Sequence, residues 1–373
     1  MNQFSYGTIV KGDHFYDRKE ECDRIVSTLS NGNNLVLFAP RRYGKTSLVF
    51  RAIEELEKKG ITCIYFDFLP VYSLETFVNL YISAIEKKES NLQKLVQTIT
   101  AVVKNIRPKL TFDSQGKPEF GIDFMESKVS VDTLSEVLDL PEKMTPSGKK
   151  TIVIFDEFQE ITKLNKYSFE NLLRSKIQQQ QQVNYLFLGS RTHLLNDMFN
   201  NKNRAFYNSA SHIQLSTLPH EDTITFLQEK LGNSGIDIDR QTALFIIEQS
   251  GDIPYYIQLL AAEIWQYMIN SQTMVTKEIV ILCTDQIVEL KQDYYYELFD
   301  RQSVMQKQLL KALSQSGESV FSAAYAKRFR LSTTSTTQKG ILVLMDSAII
   351  DKADNTYFIS DPFFKRFLQN YAL

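Results

Sequence analysis

The sequence predicts an α/β protein with a parallel-sheet core, a helical region after it and a small helix-and-hairpin module at the C-terminal end. Three observations predict this. Short, nearly continuous apolar runs alternate with helical patterns over the first two thirds of the chain, as βα units around a doubly covered sheet do. After His220 the pattern is helical throughout. Beyond Arg301, three short helical stretches precede two short strands. The expected divisions are 1–218 for the core, with an irregular insertion over about 70–150, then 219–295 and 296–373.

Composition narrows the class. The 373 residues are 43% hydrophobic and 23% charged, as in ordinary globular proteins, with a net charge of −2 that excludes a uniformly basic nucleic-acid coat. Cys22, Cys63 and Cys283 are too dispersed for a disulfide framework. His14, His193, His212 and His220 lack the spacing of a zinc site. The first residues are polar and no apolar run approaches roughly 18 residues, so the expectation is a soluble, cytoplasmic protein with no membrane partner.

Taken in order, the buried-strand candidates are Asn34 to Ala39, Ile61 to Phe68, Thr151 to Phe155 and Tyr185 to Gly189. Between the second and third, the stretch LTFDSQGKPEFGIDF reads as a hairpin turning near Gln115-Gly116-Lys117. The glutamine run from Gln178 to Gln182 reads as helix surface after FENLLRSKI.

The sharpest feature is NLVLFAPRRYGKTSLVF, an apolar strand, a short loop and an amphipathic helix. This is the arrangement of a phosphate-binding loop. Successive backbone N–H groups of Pro40-flanked Arg41, Arg42, Tyr43 and Gly44, and of Lys45, Thr46 and Ser47, would wrap a phosphate beside the helix N-terminus. Lys45 would reach the β- and γ-phosphates and the Thr46 hydroxyl would hold Mg²⁺. Gly44 permits close backbone approach. The first glycine of the usual pattern is replaced by Ala39, which is still small.

A second motif follows in TIVIFDEFQEI, where an apolar strand runs into Asp156-Glu157. Two carboxylates at a buried strand end need an opposing positive charge, which Mg²⁺ shared by Thr46 and Asp156 would supply. Glu157 is then the general base for an attacking water. Together the motifs identify a P-loop NTPase. No guanine-reading N-K-x-D motif is present, which favours ATP. A third strand, YLFLGS, ends in Ser190, a residue suited to touch the γ-phosphate or the lytic water.

With these residues in hand the chain resembles the archaeal-type P-loop ATPases, a group related to the STAND and AAA+ proteins. The resemblance runs through FYDRKEECDRI, PRRYGKTSL, DEFQEI, LFLGSRTHLL, SGDIPYYIQLLA and ISDPFFKRFL. It implies an ASCE-type core, a helical lid and a C-terminal winged-helix domain. It also implies that Phe15, Tyr16 and Arg18 lie on the adenine side and that Pro254, opening a lid helix, senses the nucleotide. Asp252 stands where the family has a glycine, which makes that backbone less permissive. Such ATPases often meet transition-state charge with an arginine; Arg191 and Arg204 are candidates, with Arg41 and Arg42 as alternatives.

The terminal module reads as a helix-turn-helix with an added wing, with Ser332 or Thr333 capping its third helix. Residues 301–373 hold ten basic and five acidic residues, a charge of +5, against −7 for the rest. DNA contact through Lys327, Arg328, Arg330 and Lys339, helped by Thr334, Thr336, Thr337 and Gln338, is one expectation. A packing or autoinhibitory role is the other, with Leu342, Val343 and Leu344 in the core. The leading function is an Mg²⁺-dependent ATP switch with slow hydrolysis, acting with a protein partner or by self-association. The alternatives are a DNA-binding protein whose nucleotide is structural, and a scaffold that binds ATP without turnover.

Overall fold

The expected apolar runs are strands of one parallel sheet in the computed structural model, which describes residues 2–7, 18–89, 91–112, 118–125, 129–269, 274–353 and 355–371. Packing divides the chain into two bodies. One comprises residues 18–40 and 48–215; the other comprises 41–47, 216–373 and the described part of 1–17.

The chain enters the first body through α1 (Lys19–Ser30) and β1 (Leu35–Phe38), then α2 (Lys45–Lys58) and β2 (Thr62–Asp67). The expected insertion contains α3 (Leu74–Glu86), α4 (Leu92–Val102), the antiparallel pair β3 (Ile106–Phe112) and β4 (Pro118–Phe124), and α5 (Val131–Met144). The predicted hairpin is therefore present, while its turn at 115–117 lies outside the described residues. Then come β5 (Thr151–Asp156), a 3₁₀ stretch (Phe158–Tyr167), α6 (Phe169–Gln179), β6 (Val183–Gly189), α7 (Thr192–Asn200) and β7 (Ser211–Gln214).

The sheet order is β2-β5-β6-β1-β7, and every pairing is parallel. All residues of β1 and β5 are buried, which is why these strands read as unbroken apolar runs. Edge strand β7 (SHIQ) went unpredicted because only Ile213 is buried, leaving no apolar run to see. Phe66, Phe68, Phe77, Tyr81, Phe155, Phe158, Phe187, Phe199 and Phe206 form a continuous aromatic core. Their edge-to-face pairs, such as Phe66–Phe77, Phe68–Phe158 and Phe158–Phe206, add about 0.5–1.5 kcal/mol each beyond burial. The glutamine run is not all helix surface: α6 stops at Gln179, and Gln180 caps it while accepting from Tyr185 Oη.

The second body continues with α8 (His220–Gly232), β8 (Asp237–Ile238), α9 (Arg240–Gln249), α10 (Pro254–Met268), β9 (Met274–Val275), α11 (Lys277–Leu290) and α12 (Gln292–Asp300). The terminal module is α13 (Val304–Gln315), α14 (Ala323–Phe329), α15 (Thr334–Asp346), the wing β10 (Ile350–Ala353) and β11 (Thr356–Ile359), and α16 (Pro362–Asn370). Ser303 makes a capping box on α13, and Thr333 is the residue that caps α15. Helix α16, absent from the sequence expectation, buries Phe363, Phe364, Phe367 and Leu368. These join Ile246, Ile257, Leu260, Leu309 and Leu313 in one hydrophobic cluster, so the helical region and the terminal module share a core.

Two expectations for α15 are corrected. Leu342 and Val343 are 58% and 53% exposed, and only Leu344 of that trio is in the core. Thr337 is buried, so it is no donor to an external partner, because helical period places it on the same inward face as Ile341 and Leu344.

Candidate functional site

The loop after β1 has the backbone its sequence implies. Ala39 is fully buried at the strand exit, where a small residue fits. Gly44 has φ 81°, and a Cβ there would meet nothing within 4 Å, so the glycine is needed for its conformation alone. Helix α2 then begins at Lys45, with Lys45 and Ser47 buried and Thr46 half-buried. That first turn is a helix N-terminus whose backbone N–H groups follow the loop, the kind of position that binds anions.

By its contacts, segment 41–47 belongs with the helical body. Tyr43 packs against that body's core. Arg42 adopts φ 72°, and its carbonyl accepts from Tyr255 N–H at 3.3 Å, a first-turn amide of α10. Pro254 stands at the start of the same helix, where a missing N–H costs nothing. The preceding Gly251 and Asp252 have φ 63° and 57°, so the aspartate takes up the left-handed conformation its family counterpart suits better. His220 Nε2 lies 3.0 Å from Asp252 Oδ2 and helps hold it there.

In the sheet body, the carboxyl ends of β2, β5 and β6 carry an acidic cluster. Asp156 is the last residue of β5 and is paired in register with Asp67 of β2. Glu157 follows at φ 47°. It is held there because Phe155 before it and Phe158 after it are both fully buried, with Phe158 at 4.6 Å from the Phe187 ring. Tyr65 Oη donates to Asp156 Oδ2 at 2.5 Å, and Glu157 N–H donates to Asp156 Oδ1 at 2.8 Å. Burial first, and then the Asp156 charge, push the Tyr65 hydroxyl far above its ordinary pKa, so it remains a donor. Glu157 Oε2 accepts from Ser190 Oγ at 2.9 Å and from Gln159 Nε2 at 2.5 Å.

The structure thus brings together Asp156, Glu157 and Ser190, and adds Tyr65 and Gln159, which sequence reading missed. Gln159 is 2% exposed, and its Oε1 is buried without a hydrogen-bond partner. A Cβ on Gly189 would lie 2.1 Å from that oxygen and 2.5 Å from Leu195 Cδ1, so the glycine of the G-S step makes room for Gln159. The signal was present in DEFQEI, where Gln159 is two residues from the acid it serves.

Other predicted residues are engaged elsewhere. Arg204 is bound to Glu170 at 2.7 Å and to Asp197 at 3.0 Å. Arg191 sits at the N-cap of α7, and its Nε is buried with no hydrogen-bond partner among the described residues. Arg18, 3% exposed, precedes α1 and pairs with Glu21 at 2.9 Å. Arg41 is exposed. Phe15 and Tyr16 lie outside the described residues. Lys327, Arg328, Arg330 and Lys339 are all exposed on α14, its C-cap and α15.

A hydroxyl from Thr46 and a carboxylate from Asp156 are hard oxygen donors, which suit Mg²⁺. Asp156 also accepts the hydrogen bonds described above through its two oxygens, and a carboxylate with a hydroxyl is a donor chemistry that fits that ion. Among the described residues, no helix is long and apolar enough to cross a membrane.

Comparison with known proteins places the chain in a family and a fold. A family model described as an ATPase domain predominantly from Archaea matches residues 15–259, and one described as a probable winged helix domain matches 293–370. An uncharacterised ATP-binding protein of Pyrococcus horikoshii is 23% identical over 252 residues, covering 65% of this chain and 73% of that protein. Another, from Methanocaldococcus jannaschii, is 24% identical over 164 residues, 43% of this chain and 44% of that one. Among solved structures, the Walker-type ATPase of Pyrococcus abyssi aligns with a TM-score of 0.63 at 18% identity, over 96% of this chain and 97% of its own. The ORC2 protein of Aeropyrum pernix, solved as ADPNP and ADP complexes, aligns with a TM-score of 0.55 at 11% identity, over 98% of both chains. These two likenesses establish the shared fold: a P-loop-type parallel core with a C-terminal winged helix.

Proposed function

The chain belongs to the family of ATPase domains found predominantly in Archaea, and on that premise we propose that it is an Mg²⁺-dependent ATP switch with slow hydrolysis. The observation that carries this is the loop between β1 and Lys45 of α2, in a chain whose strand β5 ends in Asp156-Glu157. Lys45 and the loop amides bind the phosphates. Thr46 and Asp156 hold Mg²⁺, which when bound neutralises charge on the phosphate oxygens. Glu157 takes a proton from water, and Ser190 and Gln159 orient it. Because its Oε2 already accepts two hydrogen bonds, Glu157 is a restrained base, which supports slow turnover. Arg191, with its unpartnered buried Nε, is better placed than Arg204 to meet transition-state charge. The ATP-binding relatives, and the nucleotide complexes of the Aeropyrum protein, support ATP as the ligand.

The switch output is the helical body, because loop residues Arg42 and Tyr43 pack within it. Phosphate release from ATP is expected below roughly 1 s⁻¹, at the low end of enzyme turnover, and it should cease with EDTA. ATP binding without any release would leave a scaffold rather than an enzyme.

One observation favours a second activity: four exposed basic side chains lie on or beside the two helices of a helix-turn-helix. Duplex DNA binding through them would be salt-sensitive. Neutralising Arg328 and Arg330 together should lower the slope of log affinity against log salt by about 2. An unchanged slope, or no binding at low salt with or without ATP, would discard DNA as a partner.

A further inference from the structure

We propose that Asp361, in the terminal winged-helix module, is a positioning residue for the phosphate loop, acting through Arg42. This rests on the reading of 41–47 as a nucleotide-binding loop. Arg42 is fixed at both ends. Its carbonyl is tied to the Tyr255 amide, and its guanidinium lies over the Tyr255 and Tyr256 rings, at 5.2 and 4.8 Å from their centroids. The same guanidinium stands 3.6 Å from Asp361 Oδ2.

Asp361 is itself held firmly. Its Oδ1 caps α16 by accepting from Phe363 and Phe364 N–H at 2.9 and 3.3 Å. Its Oδ2 accepts from Tyr295 Oη at 3.3 Å. Burial foremost, with the Asp361 charge second, keeps that phenol protonated and therefore donating. The next residue, Pro362, backs onto the loop before α10: a Cβ on Gly251 would lie 3.3 Å from Pro362 Cβ. The start of α16 thus meets both Arg42 and the segment leading into Pro254.

The consequence is conformational. Arg42 is a non-glycine residue in the left-handed region, a strained conformation that persists only where its surroundings impose it. Two residues later comes Gly44, and then the first amides of α2. A phosphate site built from backbone N–H groups is only as good as their pre-arrangement. Asp361 supplies part of that arrangement from a point more than 300 residues along the chain.

The test is the affinity of the full chain for a fluorescent ATP analogue with Mg²⁺, in the wild type, Asp361→Asn, Arg42→Gln and the double variant. Asparagine caps a helix as well as aspartate does, so Asp361→Asn removes the charge and keeps the fold, which an unchanged Tm verifies. Asp361→Asn is expected to weaken binding about fivefold, the upper range for a partly exposed ion pair. The double variant should bind no more weakly than Arg42→Gln alone, and Arg42→Lys should restore part of the loss. A merely structural Asp361 would lower Tm and leave affinity alone. Equal affinity of Asp361→Asn and wild type, or single effects that multiply in the double variant, would overturn the assignment. Failure of the wild type to bind the analogue would instead overturn the nucleotide reading, and this inference with it.

Discussion

Lys45→Ala is expected to weaken binding of a fluorescent ATP analogue by about 10- to 150-fold, the equivalent of losing charged hydrogen bonds worth about 1.5–3 kcal/mol. The residue is 7% exposed at the first position of α2, so most of its side chain is already packed and ordered by the fold. Pre-orientation is why a single lysine carries so much: little conformational entropy remains to be lost when phosphate arrives. Alanine is the best helix former, so α2 itself should not suffer. A titration of both proteins decides the matter, with Tm as the control for folding. Unchanged affinity in a folded variant would remove the loop from the nucleotide site.

Glu157→Gln should bind the same analogue as well as the wild type and turn over about 10²- to 10⁴-fold more slowly, the usual contribution of a positioned base. The substitution is nearly isosteric. Glutamine keeps a carbonyl oxygen that can accept from Ser190 Oγ and Gln159 Nε2, and it sits no worse at φ 47° than glutamate does. What it loses is the ability to take a proton. Single-turnover phosphate release measures this directly. A fully active variant would mean that another group activates the water.

Much of the fold was legible because burial on both faces leaves an unmistakable trace. β1 and β5 could be read from LVLF and TIVIF, and their ends located the loop and the acid pair. β7 could not, since a strand with one buried residue in four has no pattern to detect. Helix α16 was hidden for a different reason. Its buried phenylalanines, Phe363, Phe364 and Phe367, lie in a short segment at the chain end, and the partners that stabilise it come from residues far earlier. The site divides in the same way. Lys45, Thr46, Asp156 and Glu157 were readable because their chemistry is tied to local chain geometry. Tyr65 was not, because its contact with Asp156 spans 91 residues and depends on which strands are neighbours in the sheet. Leu342 and Val343 misled because a run of three aliphatic residues on a helix cannot all face inward.

The seven-residue segment 41–47 is covalently joined on both sides to one body, at Pro40 and at Leu48, yet packs with the other. A fragment ending at Leu215 would keep those seven residues without Tyr255, Tyr256 or Asp361, and a fragment beginning at Ser216 would keep the three partners without the segment. Dissection at that boundary yields no self-sufficient half. The conformation of the loop is therefore a property to be studied in the full chain rather than in either fragment.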